Sequence, residues 1–398
     1  MTAPPSTVTK KPSPSLFPSG YKPSSKFSKQ KPFKTVTISP VKESPKSPPP
    51  KVKPPSFGPK SPKTFSPVPV KKTRSQSVNE RNAILKDNCL FSISHFLNDK
   101  KITLAEQDFD DVAERWSEWC TDIKTDLPKY IKEWDELRGS TQKHEKKSGK
   151  GIGFDGTLVF SKGDMIQYAY DLERIKKEGQ VAILNMANAT TPGGGYFRGS
   201  NAQEEQLCLR SDLLPRLKLA QRNGNYGKKG LRNGETLYTN NVTLLKSSVL
   251  TPVEEQYVHV VSAAATNYSG QQTQLQRDIK SGAIDLDIQS TWRNIIYAAS
   301  TMGNKDLVVS VIGGGAFHNP LNNVIDGLLK ALDTLIEPTN KMVIHLVVMN
   351  DKNGAKNSEN TEKILKEKLE TTPPTYKVKF NEDEAPAIPE LDEFDLFD

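Results

Sequence analysis

Two consecutive carboxylates, Glu204 and Glu205, follow Gln203, which seven residues separate from Gly193, Gly194 and Gly195. Like charges side by side repel, but beside a sugar they suit hydroxyl binding and proton transfer. Three glycines after an apolar run let the backbone approach a ligand closely and take positive φ. The bland reading is a turn followed by a first helical turn in which carboxylates suit the dipole. A second Gly-rich stretch weighs against it. Gly313, Gly314 and Gly315 lead through Ala316, Phe317, His318, Asn319 and Pro320 into a helical stretch, an arrangement that suits pyrophosphate. It lacks GxGxxG and a placeable acidic ribose partner, which disfavours a dinucleotide dehydrogenase. Gly163-Asp164 also joins a strand to a helix. There an Asp caps the helix or accepts from an adenine amino group. The glycines near residue 150 contain no GxxxxGK[ST], so a nucleotide triphosphatase is rejected.

The elements that must position these residues follow from periodicity. Short apolar runs at 157–160, 181–186, 242–245, 257–262, 307–312 and 342–348 read as strands covered on both faces. Helices are expected at 165–178, 203–214, 287–302, 321–336 and 360–369. This alternation gives an α/β class, with a mostly parallel or mixed sheet between helices. Upstream, Ile84, Leu85, Leu90, Phe91, Ile93, Phe96 and Leu97 recur at roughly helical spacing. A second helical stretch carries Val112, Trp116, Trp119, Ile123, Leu127, Ile131 and Trp134, with Pro128 as a break. Its tryptophans are expected in the core rather than on a partner-binding face.

The chain has 398 residues and a net charge of +8, unevenly spread. Residues 1–80 hold 16 basic and 2 acidic residues and 18 of the 28 prolines. Such a stretch cannot offset its ordering entropy and reads as disordered. Its six Ser-Pro steps suit proline-directed phosphorylation, its charge suits a polyanion, and a solvated linker is the bland alternative. Residues 381–398 hold eight carboxylates and no Lys or Arg, and read as an acidic disordered tail or short docking motif. The expected organisation is a basic tail at 1–80, a helical extension at 81–148, a catalytic domain at 149–372 and an acidic tail at 373–398. The longest apolar stretch, 342–349, is too short to span a bilayer, so no membrane contact is expected. There is no apolar leader, and Cys89, Cys120 and Cys208 show no CxxC pattern. A cytoplasmic or nuclear setting is expected, with neither a disulfide scaffold nor a zinc module.

The GGG-x7-QEE pattern resembles the signature of poly(ADP-ribose) glycohydrolases. The surrounding text is similar to their microbial-type branch at Ala187-Asn188-Ala189, Pro192, Ala202, Leu207-Cys208, Arg210-Ser211 and Gly315-Ala316-Phe317. The similarity spans about 150–350. It implies a macrodomain-like mixed sheet sandwiched between helices, with no cofactor and no metal. It implies hydrolysis of the ribose–ribose bonds of poly(ADP-ribose), free or on ADP-ribosylated proteins, releasing ADP-ribose. Alternatives are a non-catalytic ADP-ribose-binding macrodomain and a mono-ADP-ribosyl-protein hydrolase. Carried over, Glu205 is the acid and then the base, Glu204 holds ribose hydroxyls and Gln203 orders the loop. Asn188 and Phe317 meet the distal ribose, and Asp164 reads the adenine. Gly193, Gly194 and Gly195 lie along the pyrophosphate, with Gly313, Gly314 and Gly315 as the second pyrophosphate loop. His318 stands where Arg is as readily expected.

Overall fold

The computed structural model describes residues 74–99, 106–123, 131, 134, 141–144, 153–176, 179–226, 231, 234–248, 250–335, 341–350 and 356–381. Most of the two tails read as disordered therefore lies outside the described residues.

Eight strands form one sheet: β1 Gln142–His144, β2 Thr157–Lys162, β3 Val181–Met186, β4 Thr236–Lys246, β5 Pro252–Ala263, β6 Asp306–Val309, β7 Val343–Val348 and β8 Lys377–Phe380, in the order β1-β4-β5-β3-β6-β7-β2-β8. From β5 to β8 every neighbouring pair is parallel, while β4 runs antiparallel to β5 and to β1. The sheet is therefore mixed, as the sequence implies. Successive strand residues point to opposite faces. All four residues of β6, and five of six in each of β3 and β7, are buried, so both faces of the sheet centre are covered.

Helix α3 (Met165–Lys176) follows β2 and packs on β3, β5, β6 and β7. Helices α4 (Gln203–Arg210) and α5 (Leu213–Arg222) follow β3. Helices α6 (Gln272–Ser281) and α7 (Ala283–Thr301) follow β5, α8 (Leu321–Asp333) follows β6, and α9 (Asn357–Thr371) follows β7. The single helix expected at 203–214 is two. Ser211 is extended, its hydroxyl bonds Leu207 O and accepts the Leu213 amide, and Asp212 accepts the Thr243 amide. Local polar side chains thus compete with helix continuation. Pro215 fits the first turn of α5, where no donor is needed. The expectation of a tail from 373 onward is corrected by β8, which pairs with β2 through Phe380.

Before the sheet stand α1 (Arg74–Asp99), which begins inside the stretch read as basic tail, and α2 (Glu106–Thr121). Trp116, Trp119 and Trp134 are fully buried, as expected of a core stripe, and Trp116 meets Trp134 edge-on at 4.9 Å. Leu85, Cys89 and Ile93 of α1 belong to the same hydrophobic core as the sheet residues Leu184 and Val260. The helical extension therefore shares the interior of the sheet domain. The three cysteines are free and buried.

Candidate active site

Strand β3 ends at Met186, and the chain then turns through Gly193, Gly194 and Gly195 before entering α4. Gln203, at the first turn of α4, fastens the two. Its Oε1 accepts the Met186 amide at 2.8 Å and its Nε2 donates to Leu184 O at 2.9 Å.

Both carboxylates turn back onto the glycine loop. Glu204 Oε2 accepts the Asn188 amide at 2.7 Å and Oε1 the Gly193 amide at 3.0 Å. Glu205 Oε1 accepts the Gly195 amide at 2.6 Å, and Oε2 accepts the Ala202 amide at 2.9 Å, half of a capping box. The residues are 3% and 5% exposed. Gly194, at φ +56°, lies where the carboxylates converge: a Cβ there would stand 2.4 Å from Glu205 Oε1 and 2.9 Å from Glu204 Oε2. Only glycine fits that close approach. Burial pushes the Glu204 carboxyl up to about 8, the Glu205 charge adding to it and the Asn188 and Gly193 amides opposing it. Burial thus favours the protonated form of Glu204.

A cleft of about 540 Å³ lies at the carboxyl ends of β2, β3, β6 and β7, where open α/β sheets bind ligands. It brings together Asp164, Gln203, Gly313, Gly314, Gly315 and Phe317 from three separate segments: the β2–α3 junction, the start of α4 and the β6–α8 loop. Asn188, Gly193, Gly194, Gly195, Glu204 and Glu205 do not line it. They adjoin its lining residues Ala187, Ala202 and Gln203. The expectation that Gly193, Gly194 and Gly195 lie along a pyrophosphate is corrected in this respect. Their amides are already taken, by Glu204, Thr191 O and Glu205.

The opposite wall is different. Among the described residues, the amides of Gly313, Gly315, Ala316 and Phe317 meet no acceptor, whereas Gly314 and His318 close turns onto Val311 O and Gly315 O. Gly313 is at φ +74°, and buried Asn319 donates to Gly313 O and Thr266 O, fixing the loop. Unpaired amides at the mouth of a cleft form an anion-binding surface. His318 is exposed and outside the cleft lining.

Asp164 caps the helix and also meets a buried cation. Its Oδ1 accepts the Ile166 and Gln167 amides, capping α3, while Oδ2 pairs with Arg210 at 2.6 Å, and the residue lines the cleft. Arg210 was not singled out for a role by residue type, although Arg210-Ser211 belongs to the text resembling the family. Its side chain is 2% exposed and ties Asp164 to the helix that carries Glu205. The Asn188 side chain closes its own turn, its Oδ1 accepting from Thr190 and Thr191, while Tyr226 donates to its carbonyl. Two further residues, Arg81 and Asn88, reach this region from α1. Nothing in the local pattern around them signals it. Among the described residues, no three His, Cys, Asp or Glu side chains are grouped to hold a metal ion.

This loop-and-helix segment lies within the stretch that a known family recognises. Residues 122–247 match the model of the microbial-type PARG catalytic domain. The match bears out the resemblance read from the GGG-x7-QEE text. Solved structures with similar folds include poly(ADP-ribose) glycohydrolase from Thermomonospora curvata bound to the inhibitor ADP-HPD, at 19% identity and TM-score 0.48, covering 64% of this chain and 97% of that one. Another is the enzyme from Deinococcus radiodurans in complex with ADP-ribose, at 20% identity and TM-score 0.43, covering 62% and 99%. No curated protein matches the chain.

Proposed function

We propose that the protein is a poly(ADP-ribose) glycohydrolase, hydrolysing ribose–ribose bonds of the polymer and releasing ADP-ribose. The observation that carries this reading is the buried Glu204–Glu205 pair folded against the glycine loop, beside a cleft whose far wall offers unpaired amides. The match of residues 122–247 to a PARG catalytic domain supports it.

In this reading the amides of Gly313, Gly315, Ala316 and Phe317 take the pyrophosphate and the Phe317 ring packs on the distal ribose. Asp164 accepts from the adenine amino group through lone pairs left by Arg210 and the α3 amides. A carboxylate offers about four lone-pair sites. Each Glu205 oxygen accepts one amide, so sites remain for the substrate. Glu205 gives a proton to the departing ribose oxygen, an oxocarbenium-like centre forms, and the resulting carboxylate takes a proton from the attacking water. One residue thus serves both steps, unlike glycosidases with two separated carboxylates. Glu204 holds a ribose hydroxyl.

One observation favours a second assignment. Burial pushes the Glu204 carboxyl up to about 8, which favours its protonated form. In that assignment Glu204 supplies the proton that Glu205 passes on. Time courses of ADP-ribose release by Glu204→Gln and Glu205→Gln, at several pH values, test both assignments. The proposal extends to the basic stretch 1–80 as a contact for the anionic polymer.

A further inference from the structure

We propose that helix α1 splints the carboxylate site, with Arg81 and Asn88 as positioning residues for the hydrolysis proposed above, because α1 ties down both the loop that contacts Glu205 and the end of the helix that carries it. The inference rests on that functional reading.

Arg81, Leu85, Asn88 and Ser92 stand at i, i+4, i+7 and i+11 and share one face of α1. Arg81 and Asn88 are 7% and 0% exposed. At the upstream end the contact is reciprocal. Arg81 Nη1 donates to Tyr196 O at 3.3 Å, with its guanidinium 5.6 Å from the centre of the Tyr196 ring, and the Tyr196 hydroxyl donates to Arg81 O at 2.7 Å. Tyr196 directly follows Gly195, whose amide holds Glu205 Oε1. At the other end, Asn88 Nδ2 donates to Ser211 O at 2.9 Å, with Leu209 O and Cys208 O at 3.4 and 3.5 Å. Those carbonyls belong to the last turn and cap of α4, where the helix leaves acceptors unpaired. Lys246 Nζ bonds Asn88 Oδ1 and so orients the amide with its nitrogen toward them.

A seven-residue separation on a helix spans about 10.5 Å. Over that length α1 fixes the glycine loop and the far end of α4 to one rigid element, and Glu205 sits between them. Leu85, Cys89 and Ile93 already supply the apolar seam. Burying an Arg and an Asn beside them costs desolvation that an apolar side chain would not. What the polar pair adds is directional bonding to the backbone that holds the carboxylate. A displacement of about 1 Å at a reacting group costs up to about 10²-fold in rate. Helix α1 also lies outside the stretch 122–247 that matches the PARG domain.

The test uses the full chain and labelled poly(ADP-ribose). Arg81→Met, Tyr196→Phe and Asn88→Asp are each expected to lower kcat about tenfold, with KM and affinity for free ADP-ribose within about twofold of wild type. Arg81→Lys should recover most of the rate. Ile93→Val, a core truncation on the same helix, should lower Tm by a few degrees with kcat unchanged. Amide hydrogen exchange between Gly195 and Gly199, read without substrate, should quicken about tenfold in Arg81→Met. The splint is overturned if kcat merely follows Tm across the whole series, or if exchange in that loop does not change. Loss of ADP-ribose release by wild type, with the exchange response intact, instead refutes the hydrolase reading and leaves the tether standing.

Discussion

At Glu205 each carboxylate oxygen meets one backbone amide, and this shapes what its substitution does. Gln keeps one acceptor oxygen and turns an NH2 toward the other amide. Glu205→Gln therefore removes the proton-transfer group and leaves one loop amide unmatched, at about 1–3 kcal/mol. Hydrolysis should fall by about 10²–10⁴-fold or more, with free ADP-ribose still bound within a few-fold by titration. Glu204 makes the clearest pH statement. Burial raises its pKa to about 8 from the ordinary glutamate value of 4.5. Its contribution to stability is thus fully present below the unfolded value and is lost as pH rises through about 8. A melting series from pH 5 to pH 9 should show wild type losing stability on the alkaline side more steeply than Glu204→Gln. If the Glu204 proton is used in turnover, kcat should fall through the same pH range in wild type. Asp164→Ala removes both a cleft acceptor and the partner of a buried guanidinium. It should weaken ADP-ribose binding and also cost up to about 3 kcal/mol of stability on denaturant titration. Asp164→Asn keeps the α3 cap and separates the two effects.

At the scale of elements, the glycine loop and α4 act as one unit. Gly194→Ala forces a Cβ into both carboxylates at a left-handed φ. It should lower Tm and reduce turnover at least tenfold, with the cleft at Gly313, Gly314 and Gly315 still able to bind ADP-ribose. All six strands read from apolar runs are present, because continuous burial leaves a continuous apolar signature. Strand β8 was not legible, since Lys377 and Lys379 alternate with Val378 and Phe380 on an edge and dilute the run. Helix α6 buries only Leu275 and presents Gln, Arg and Lys elsewhere, so it carries almost no stripe. The carboxylates, the Gly313 loop, Gln203 and Asp164 were legible because chemistry restricts their residue types. Arg81, Asn88 and Arg210 were not, since a buried polar partner is defined by what it meets, and their contacts span 36 to 158 residues of chain.

For the molecule as a whole, charge is divided by region. Residues 1–80 carry a net of +14 and the remainder a net of −6. Neutralising phosphates with Lys and Arg releases counterions, so affinity gained from the basic stretch should decay steeply with salt. Deleting residues 2–68 spares α1, which starts at Arg74, and with it the contacts of Arg81. The truncated chain should bind long polymer more weakly at low ionic strength and about equally at high salt, with kcat within twofold throughout. The most direct test of the central claim is a time course of ADP-ribose release from poly(ADP-ribose) by the purified chain beside Glu205→Gln, each paired with an ADP-ribose titration. Steady release by wild type, with at least a 10²-fold slower rate and retained binding in Glu205→Gln, is the result predicted. Near-normal turnover by Glu205→Gln, or an unmodified chain that binds ADP-ribose and never cuts the polymer, would contradict it.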